Sequence, residues 1–199
     1  MRRLDPDFSN RARQAQTAPR RGAAALWCLI TIPALLLLLV FVSDIGRLWL
    51  AKVELGNALE AAALAGVKEW QAGATTAATR TVVQQYALAN SAGDLPVNLS
   101  DNSGAQANGN AAGAGGEIIL GTITGVPGNY TFDATQAPNC GVNLPFAVLT
   151  QKTHPVTSLF TNFLGASFGP YAVRGRSIAW FSCAGGSPQL ISVTTIISP

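Results

Sequence analysis

Residues Leu35–Gly66 read LLLLLVFVSDIGRLWLAKVELGNALEAAALAG. An apolar run passes into a patterned segment with no Pro or Gly turn cluster between them. In the second part, apolar and small residues recur every three or four positions, the spacing of one face of an amphipathic helix. These residues are Ile45, Leu48, Ala51, Leu55, Leu59, Ala62 and Gly66. The stretch predicts one helix, from about Arg21 to Trp70, that joins an apolar half rigidly to a half packed on a soluble domain.

The apolar half has the length of a membrane span. Residues 23–42 carry no charge, and about 20 helical residues cover about 30 Å, the thickness of a bilayer's hydrocarbon core. A buried core helix and a cleaved signal peptide are the alternatives. A small domain cannot bury such a run on all sides, and signal sequences have shorter apolar runs that end at small residues. We therefore expect an uncleaved transmembrane helix over 23–42.

The charge of the chain is concentrated at its start. The 199 residues have a formal net charge of +3, and residues 1–22 hold six arginines against two aspartates. Such an arm can bind nucleic acid, but next to a membrane span it is the kind of segment that the positive-inside rule retains in the cytoplasm. We expect a cytoplasmic basic arm at 1–22, no nucleic-acid partner, and an extracytoplasmic location for everything after Ser43.

The middle of the chain predicts a helical stalk followed by a loop. Gly73 and the pair Thr75-Thr76 are stop and start signals, so a second helix is expected over about Ala77–Ala89, and residues 43–90 form the stalk. Residues 91–116 are rich in Asn, Gly, Ala and Ser. That composition predicts a surface loop with little packing of its own.

Residues 117–199 predict a β-rich outer domain. Short runs of β-branched and apolar residues alternate with turn residues, which favours an antiparallel sheet, and a short helix is expected over Ser158–Leu164. The predicted strands are Gly116–Thr124, Asn129–Ala134, Asn143–Gln151, Tyr171–Ser182 and Leu190–Ser198. The fold class is therefore α+β, a long N-terminal helix packed on a small antiparallel sheet.

Candidate chemical groups are few. His154, the single histidine, precedes Pro155, and we expect it to be solvent-exposed in a turn. No nucleophile motif accompanies it and no four-ligand zinc cluster is present, so we predict no catalytic residue, no metal site and no cofactor. Cys140 and Cys183 are candidates for a disulfide in an oxidising compartment; two unpaired thiols are the alternative.

Small residues recur four positions apart at Ala58, Ala62 and Gly66. In lipid-embedded helices this spacing allows two backbones to approach closely. The segment is therefore a candidate surface for helix-mediated self-association.

A series of short motifs runs along the predicted helix. An Arg-Arg-Gly precedes the span, an acidic residue ends it, and a Gly-Arg pair, an aromatic residue, an Asn-Ala step and an alanine-rich tail follow. They lie at Arg20-Arg21-Gly22, Asp44, Gly46-Arg47, Trp49, Asn57-Ala58 and Ala61–Gly66. This series resembles the N-terminal segment of the TadE/TadG-like proteins of the tight-adherence (Flp) pilus assembly system, and Asp44 and the tail are more similar to the TadG-like branch.

The resemblance implies a pilin-like fold in a single-pass protein of the bacterial cytoplasmic membrane. It also implies a role in pilus assembly or related secretion, through contact with other assembly proteins and without catalysis. Gly22 and Ala23 flank the position at which processed relatives are cleaved. Those relatives carry a Glu five residues beyond the Gly, where this chain has Trp27, and the difference favours an uncleaved, TadG-like anchor.

Two other functions remain open at this stage. One is a membrane-tethered binding module unrelated to pili, which would use the sheet and the loop at 91–116 for recognition. The other is an anchored enzyme, which would need a cluster of converging polar side chains.

Overall fold

The structure is a computed structural model, described over residues 21–111, 115–126, 129–159 and 171–197. The chain divides into two compact units, with the boundary between Val42 and Ser43. The fold class is α+β, as predicted, with a long N-terminal helix and an antiparallel sheet. The predicted basic arm up to residue 20, and residues 160–164 of the predicted short helix, lie outside the described residues.

Helix α1 spans Arg21–Gln71, which confirms the predicted long helix. Within the first unit its large apolar side chains are exposed, and Pro33 lies inside the helix. A helix that is apolar on all sides suits lipid or a protein core. By length and composition, α1 is the one helix in the described part of the chain that could cross a membrane.

The first helix ends and the second begins at local signals. Gly73 has a φ of +97°, and its N–H donates to the carbonyl oxygen of Trp70 at 3.0 Å while that of Ala74 donates to Glu69 at 3.3 Å. This is the Schellman pattern, which needs a residue such as Gly at positive φ. Helix α2, Thr76–Leu88, starts behind Thr75, whose side chain accepts from the N–H of Ala78. The predicted stop and N-cap are both confirmed.

The second unit, which begins at Ser43 and is called here the outer unit, contains two antiparallel sheets in its described residues. The small one pairs β1 with β2, and the large one has the strand order β4-β3-β5-β6-β7. The strands are β1 Ser91–Ala92, β2 Leu95–Pro96, β3 Ile118–Val126, β4 Asn129–Asp133, β5 Phe146–Val156, β6 Tyr171–Phe181 and β7 Gln189–Ile197. Each of the five large strands overlaps a predicted one, but β5 continues to Val156, past the predicted end at Gln151. A 3-10 turn at Cys140–Val142 follows β4.

The core lies between the second part of α1, helix α2 and one face of the large sheet. Leu55 and Leu59 are fully buried and pack over Gly175 of β6, where an added Cβ would lie 2.6 Å from Leu59 Cδ1. Thr150 of β5 donates its hydroxyl to the carbonyl oxygen of Leu59 at 2.9 Å. Residues 146, 148, 150, 152, 154 and 156 therefore form the helix-facing side of β5, because side chains alternate along a strand.

The buried stripe of α1 differs from the predicted one at its start. Ala51, Leu55, Leu59 and Ala62 are buried as predicted, but Ile45 is 51% exposed and its neighbour Asp44 is buried. Segment 43–53 has apolar residues on more than one face, so periodicity alone did not identify the face that packs.

The small residues of α1 make a contact within the chain. Ala58, Ala62 and Gly66 are buried against the protein's own core. A Cβ added at Gly66 would lie 2.3 Å from Cγ2 of Val83 on α2. The surface that was predicted for self-association is thus used for the packing of α1 on α2 and the sheet.

The Asn-rich stretch is also packed, contrary to the prediction of a loop with little packing. Val97, Leu99, Asn102, Asn108 and Asn110 are buried. The amide nitrogen of Asn108 donates to the carbonyl oxygen of Gln136 at 2.6 Å, and that of Asn110 donates to Ala134 at 2.9 Å. These Asn amides donate hydrogen bonds to carbonyl oxygens that would otherwise be unsatisfied or need water. A polar composition is therefore compatible with burial here.

A buried arginine joins this stretch to α2 and β3. Arg80 is 3% exposed, donates to the carbonyl oxygen of Ile118 at 2.6 Å, and pairs with Asp101 at 3.2 Å. Burial lowers the pKa of Arg80 while Asp101 acts in the opposite direction. The buried cation is thus compensated by one carboxylate and by carbonyl oxygens.

The contact at Gly66 gives a matched pair of substitutions. Gly66→Ala places a methyl group against Val83 and should destabilise the fold by about 1–3 kcal/mol through overpacking. Gly46→Ala, at a helix position with nothing within 4 Å of the added Cβ, should stabilise by about 0.5–1 kcal/mol. Thermal unfolding of the detergent-solubilised protein measures both, and shifts of the same sign would contradict this account.

Candidate functional site

Asp44 connects the start of the outer unit to the segment that follows β5. Its carboxylate is buried and accepts a hydrogen bond from Ser158 Oγ at 2.5 Å and one from the backbone N–H of Leu159 at 2.7 Å. A buried carboxylate is costly unless donors satisfy it. Asp44 therefore stabilises the contact between two segments that are 114 residues apart in the sequence.

The β1–β2 hairpin is held by two further α1 side chains. Glu54 Oε2 accepts from the N–H of Gly93 at 2.8 Å, and Arg47 pairs with Asp94 at 3.0 Å. Asp94 is 86% exposed, so that ion pair contributes little stability. A Cβ at Gly93 would lie 3.3 Å from Ala51, which means that the hairpin rests directly on the helix.

His154 holds the other side of the hairpin, and the prediction of an exposed turn histidine is wrong. It lies in β5, is 4% exposed, and its Nε2–H donates to the carbonyl oxygen of Ala92 at 2.8 Å. The carbonyl can only accept, so the proton lies on Nε2. Burial, foremost, and the nearby Lys152 lower the pKa of His154, while the Ala92 hydrogen bond opposes them.

The opposite side of α1 carries an exposed apolar surface. It is called here the exposed α1 face, and it consists of Ile45, Trp49, Leu50 and Val53, at 51%, 61%, 55% and 46% exposure. Lys52 Nζ lies 5.1 Å from the centroid of the Trp49 ring, a cation–π distance. Four large apolar side chains on three helical turns are unusual for a water-exposed surface and typical of a contact site.

The remaining predicted residues do not join a common site. Gly22 and Ala23 lie in the first turn of α1, and Asn57 is exposed on the same helix. The Sγ atoms of Cys140 and Cys183 are bonded, with Cα atoms 5.1 Å apart. Cavities of about 240, 330 and 410 Å³ lie along the sheet, and Asp44, Gly46, Arg47 and Asn57 line none of them.

In the described segments, no group of three or more His, Cys, Asp or Glu side chains could hold a metal ion. The residues of greatest interest are instead Asp44, Arg47 and Glu54, whose side chains bind later parts of the outer unit, and those of the exposed α1 face. Both sets lie in the helix that carries the short motifs.

Comparison with known families gives one match, and it falls in this region. Residues 22–92 match the family model of Flp pilus-assembly TadE/G-like proteins. The resemblance of the N-terminal segment is thereby confirmed. No match was found among curated proteins or among solved structures.

The TadE/G-like segment, residues 22–92, contains α1 and α2 and ends at Ala92, the residue that His154 binds. Asp44, Gly46, Arg47 and Asn57 all belong to it. The structure gives Asp44 and Arg47 contacts with other parts of the chain, whereas Gly46 and Asn57 are exposed.

The sequence did not indicate that Glu54, His154 and Ser158 form hydrogen bonds between distant segments of the chain. Each has a partner at least 39 residues away. No local motif of the TadE/G-like segment indicates such pairs, and only knowledge of the strand order would have suggested them.

Asp44 and Asp94 each bind a donor that is distant in the sequence. Comparing substitutions of the two tests the role of Asp44. Asp44→Asn removes a buried carboxylate that accepts two hydrogen bonds and should lower the free energy of unfolding by about 1.5–3 kcal/mol. Asp94→Asn removes an exposed partner and should cost about 0–1 kcal/mol. Chemical denaturation of both variants is the measurement. Equal decreases in the free energy of unfolding would show that Asp44 does not stabilise the contact with Ser158 and Leu159.

His154 predicts a pH dependence of stability. Its folded-state pKa is lowered, so the unfolded chain binds the proton first as the pH falls. The free energy of unfolding should therefore decrease as the pH drops below about 6.5, the usual histidine pKa. Thermal unfolding between pH 5 and pH 8 (about the range in which histidine titrates) measures this.

His154→Gln is the control for that measurement, because its amide can still donate to Ala92 without titrating. This variant should show a flatter profile than the wild-type protein over the same range. If the two profiles coincide, another group is responsible for the pH dependence.

Proposed function

We propose that this protein is a membrane-anchored component of Flp pilus assembly or a related secretion system, and that it acts by protein–protein contact. The observation that carries the proposal is the exposed α1 face, which lies inside the TadE/G-like segment. An apolar surface of this kind is suited to a partner helix, because i, i+4 and i+8 side chains align along one side of a helix.

The proposal has a definite topology. Residues 1–22 lie in the cytoplasm, residues 23–42 cross the cytoplasmic membrane, and the outer unit lies on the extracytoplasmic side. Arginine enrichment before the span supports this orientation. The bond between Cys140 and Cys183 is compatible with an oxidising compartment.

The partner surface in this proposal is not the small-residue stripe. Ala58, Ala62 and Gly66 are occupied by the chain's own core. The exposed α1 face remains for self-association or for another assembly protein. Gly46, which has nothing within 4 Å of an added Cβ, lies next to Ile45 and leaves room for a close backbone approach there.

A charge placed on this face should prevent assembly without unfolding the protein. Val53→Asp puts a carboxylate in a contact that excludes water, which is costly without a partner. In the native host, we expect surface pili to fall by roughly tenfold or more, as buried unpaired charges cost several kcal/mol. The measurement is the amount of pilin in the sheared surface fraction.

Tyr86→Asp is the matched control, since Tyr86 is also an exposed apolar residue of a helix, at 52%, but lies on α2. It should leave piliation unchanged. Normal piliation in Val53→Asp cells, at wild-type protein level, would refute the role of this face.

The intact mass of the wild-type protein, measured without reducing agent, tests the anchor. Loss of residues 1–22 would mean that the chain is cleaved after Gly22.

A further inference from the structure

The side of the large sheet that faces away from α1 carries two neighbouring arginines. Arg174 and Arg176 are both exposed and lie two residues apart on β6. Alternation along a strand places them on the same side, opposite to Gly175, which packs on Leu59. Their spacing along the strand is about 6.6 Å.

No anion in the described part of the chain pairs with either arginine. The salt bridges found there use Arg47, Arg80 and Lys152. The cross-strand neighbours of Arg176 are Gln151 and Val193, and those of Arg174 are Thr153 and Thr195. Strand β7, Gln189–Ile197, contains no acidic residue, so two like charges stand side by side between neutral neighbours.

A cavity of about 410 Å³ opens beside Arg176. Its lining includes Ile119 and Leu149, the ring of Phe132, and the polar side chain of Gln151. Asp133 also lines it, but that carboxylate already accepts hydrogen bonds from Thr135 N and Oγ1 at 2.8 and 2.7 Å. The lining of the cavity therefore combines apolar side chains, the Asp133 carboxylate, and one guanidinium that has no ion-pair partner in the described part of the chain.

A second cavity, of about 240 Å³, extends the surface past Arg174. Gln151 lines both cavities, so they adjoin across β5. Lys152 lines the second one, but its ammonium group is paired with Glu117 at 2.7 Å. The two arginines are thus the cations of this surface that have no ion-pair partner in the described part of the chain.

From this charge pattern we infer that the outward side of the sheet binds an extended, acidic protein segment. Guanidinium groups bind carboxylates through two parallel hydrogen bonds. An extended peptide repeats its side chains every two residues, at the same spacing of about 6.6 Å as the arginines. Two acidic residues separated by one other residue therefore match Arg174 and Arg176. The inference concerns a partner of the outer unit and is independent of pilus assembly.

The test uses the full chain in neutral-detergent micelles and two fluorescein-labelled peptides of equal composition. TETETET alternates its glutamates, and TEETTET contains no two glutamates that are separated by a single residue. Fluorescence anisotropy should show tighter binding of the alternating peptide. Arg176→Gln and Arg174→Gln should each weaken that binding by about tenfold, the usual effect of losing a charged hydrogen-bond partner.

Lys68→Gln is the matched control, because Lys68 is an exposed cation at the end of α1 and its loss changes the net charge equally. It should change the affinity by less than about twofold. Circular dichroism spectra and unfolding temperatures should agree among the variants, as these are exposed positions.

Three results would overturn the inference. The first is equal affinity for the two peptides, and the second is an equal loss in Lys68→Gln, since either would show attraction by net charge alone. The third is arginine-dependent binding to phosphatidylglycerol vesicles without binding to the alternating peptide, which would identify a lipid surface as the ligand.

Discussion

The close approach of α1 to the large sheet is the contact on which the rest of the structure depends. Leu55 and Leu59 pack over Gly175, and Gly66 lies against Val148 and Val83. Full burial of each leucine contributes about 1.5–3 kcal/mol, and the glycines allow the backbones to come near enough for it. A larger residue at either glycine would separate the layers, and the hairpin and Asn-rich stretch pack on the elements that these layers position.

The two sides of α1 in the outer unit have opposite environments. One side is closed by the core, and the other presents Ile45, Trp49, Leu50 and Val53 to the surroundings. Apolar residues thus occur on both sides of this part of α1, whereas a surface helix usually has polar residues on its outer side. The residues that pack in the core are therefore different from those to which the contact role is assigned in the proposal.

The parts of the fold that were predictable rest on short-range patterns. The helix end at Gly73, the N-cap at Thr75 and the large strands follow from residues within a few positions of each other. The side on which α1 packs, the burial of Asn108 and the environment of His154 depend on groups that are distant in sequence, such as Ala92 for His154. Composition and periodicity do not report such pairs. An Asn amide can donate a hydrogen bond to a buried carbonyl oxygen as well as to water, so its polarity does not predict exposure.

The order of the chain has a consequence for biosynthesis. Thr150, which binds the carbonyl of Leu59, is separated from it by 91 residues, and Ser158 is separated from Asp44 by 114. At about 5–20 residues per second, α1 emerges on the order of ten seconds before the strands that cover it. During that interval both of its apolar sides are uncovered. The core-facing side of α1 in a nascent chain with this architecture therefore stays uncovered until β5 and β6 have been translated.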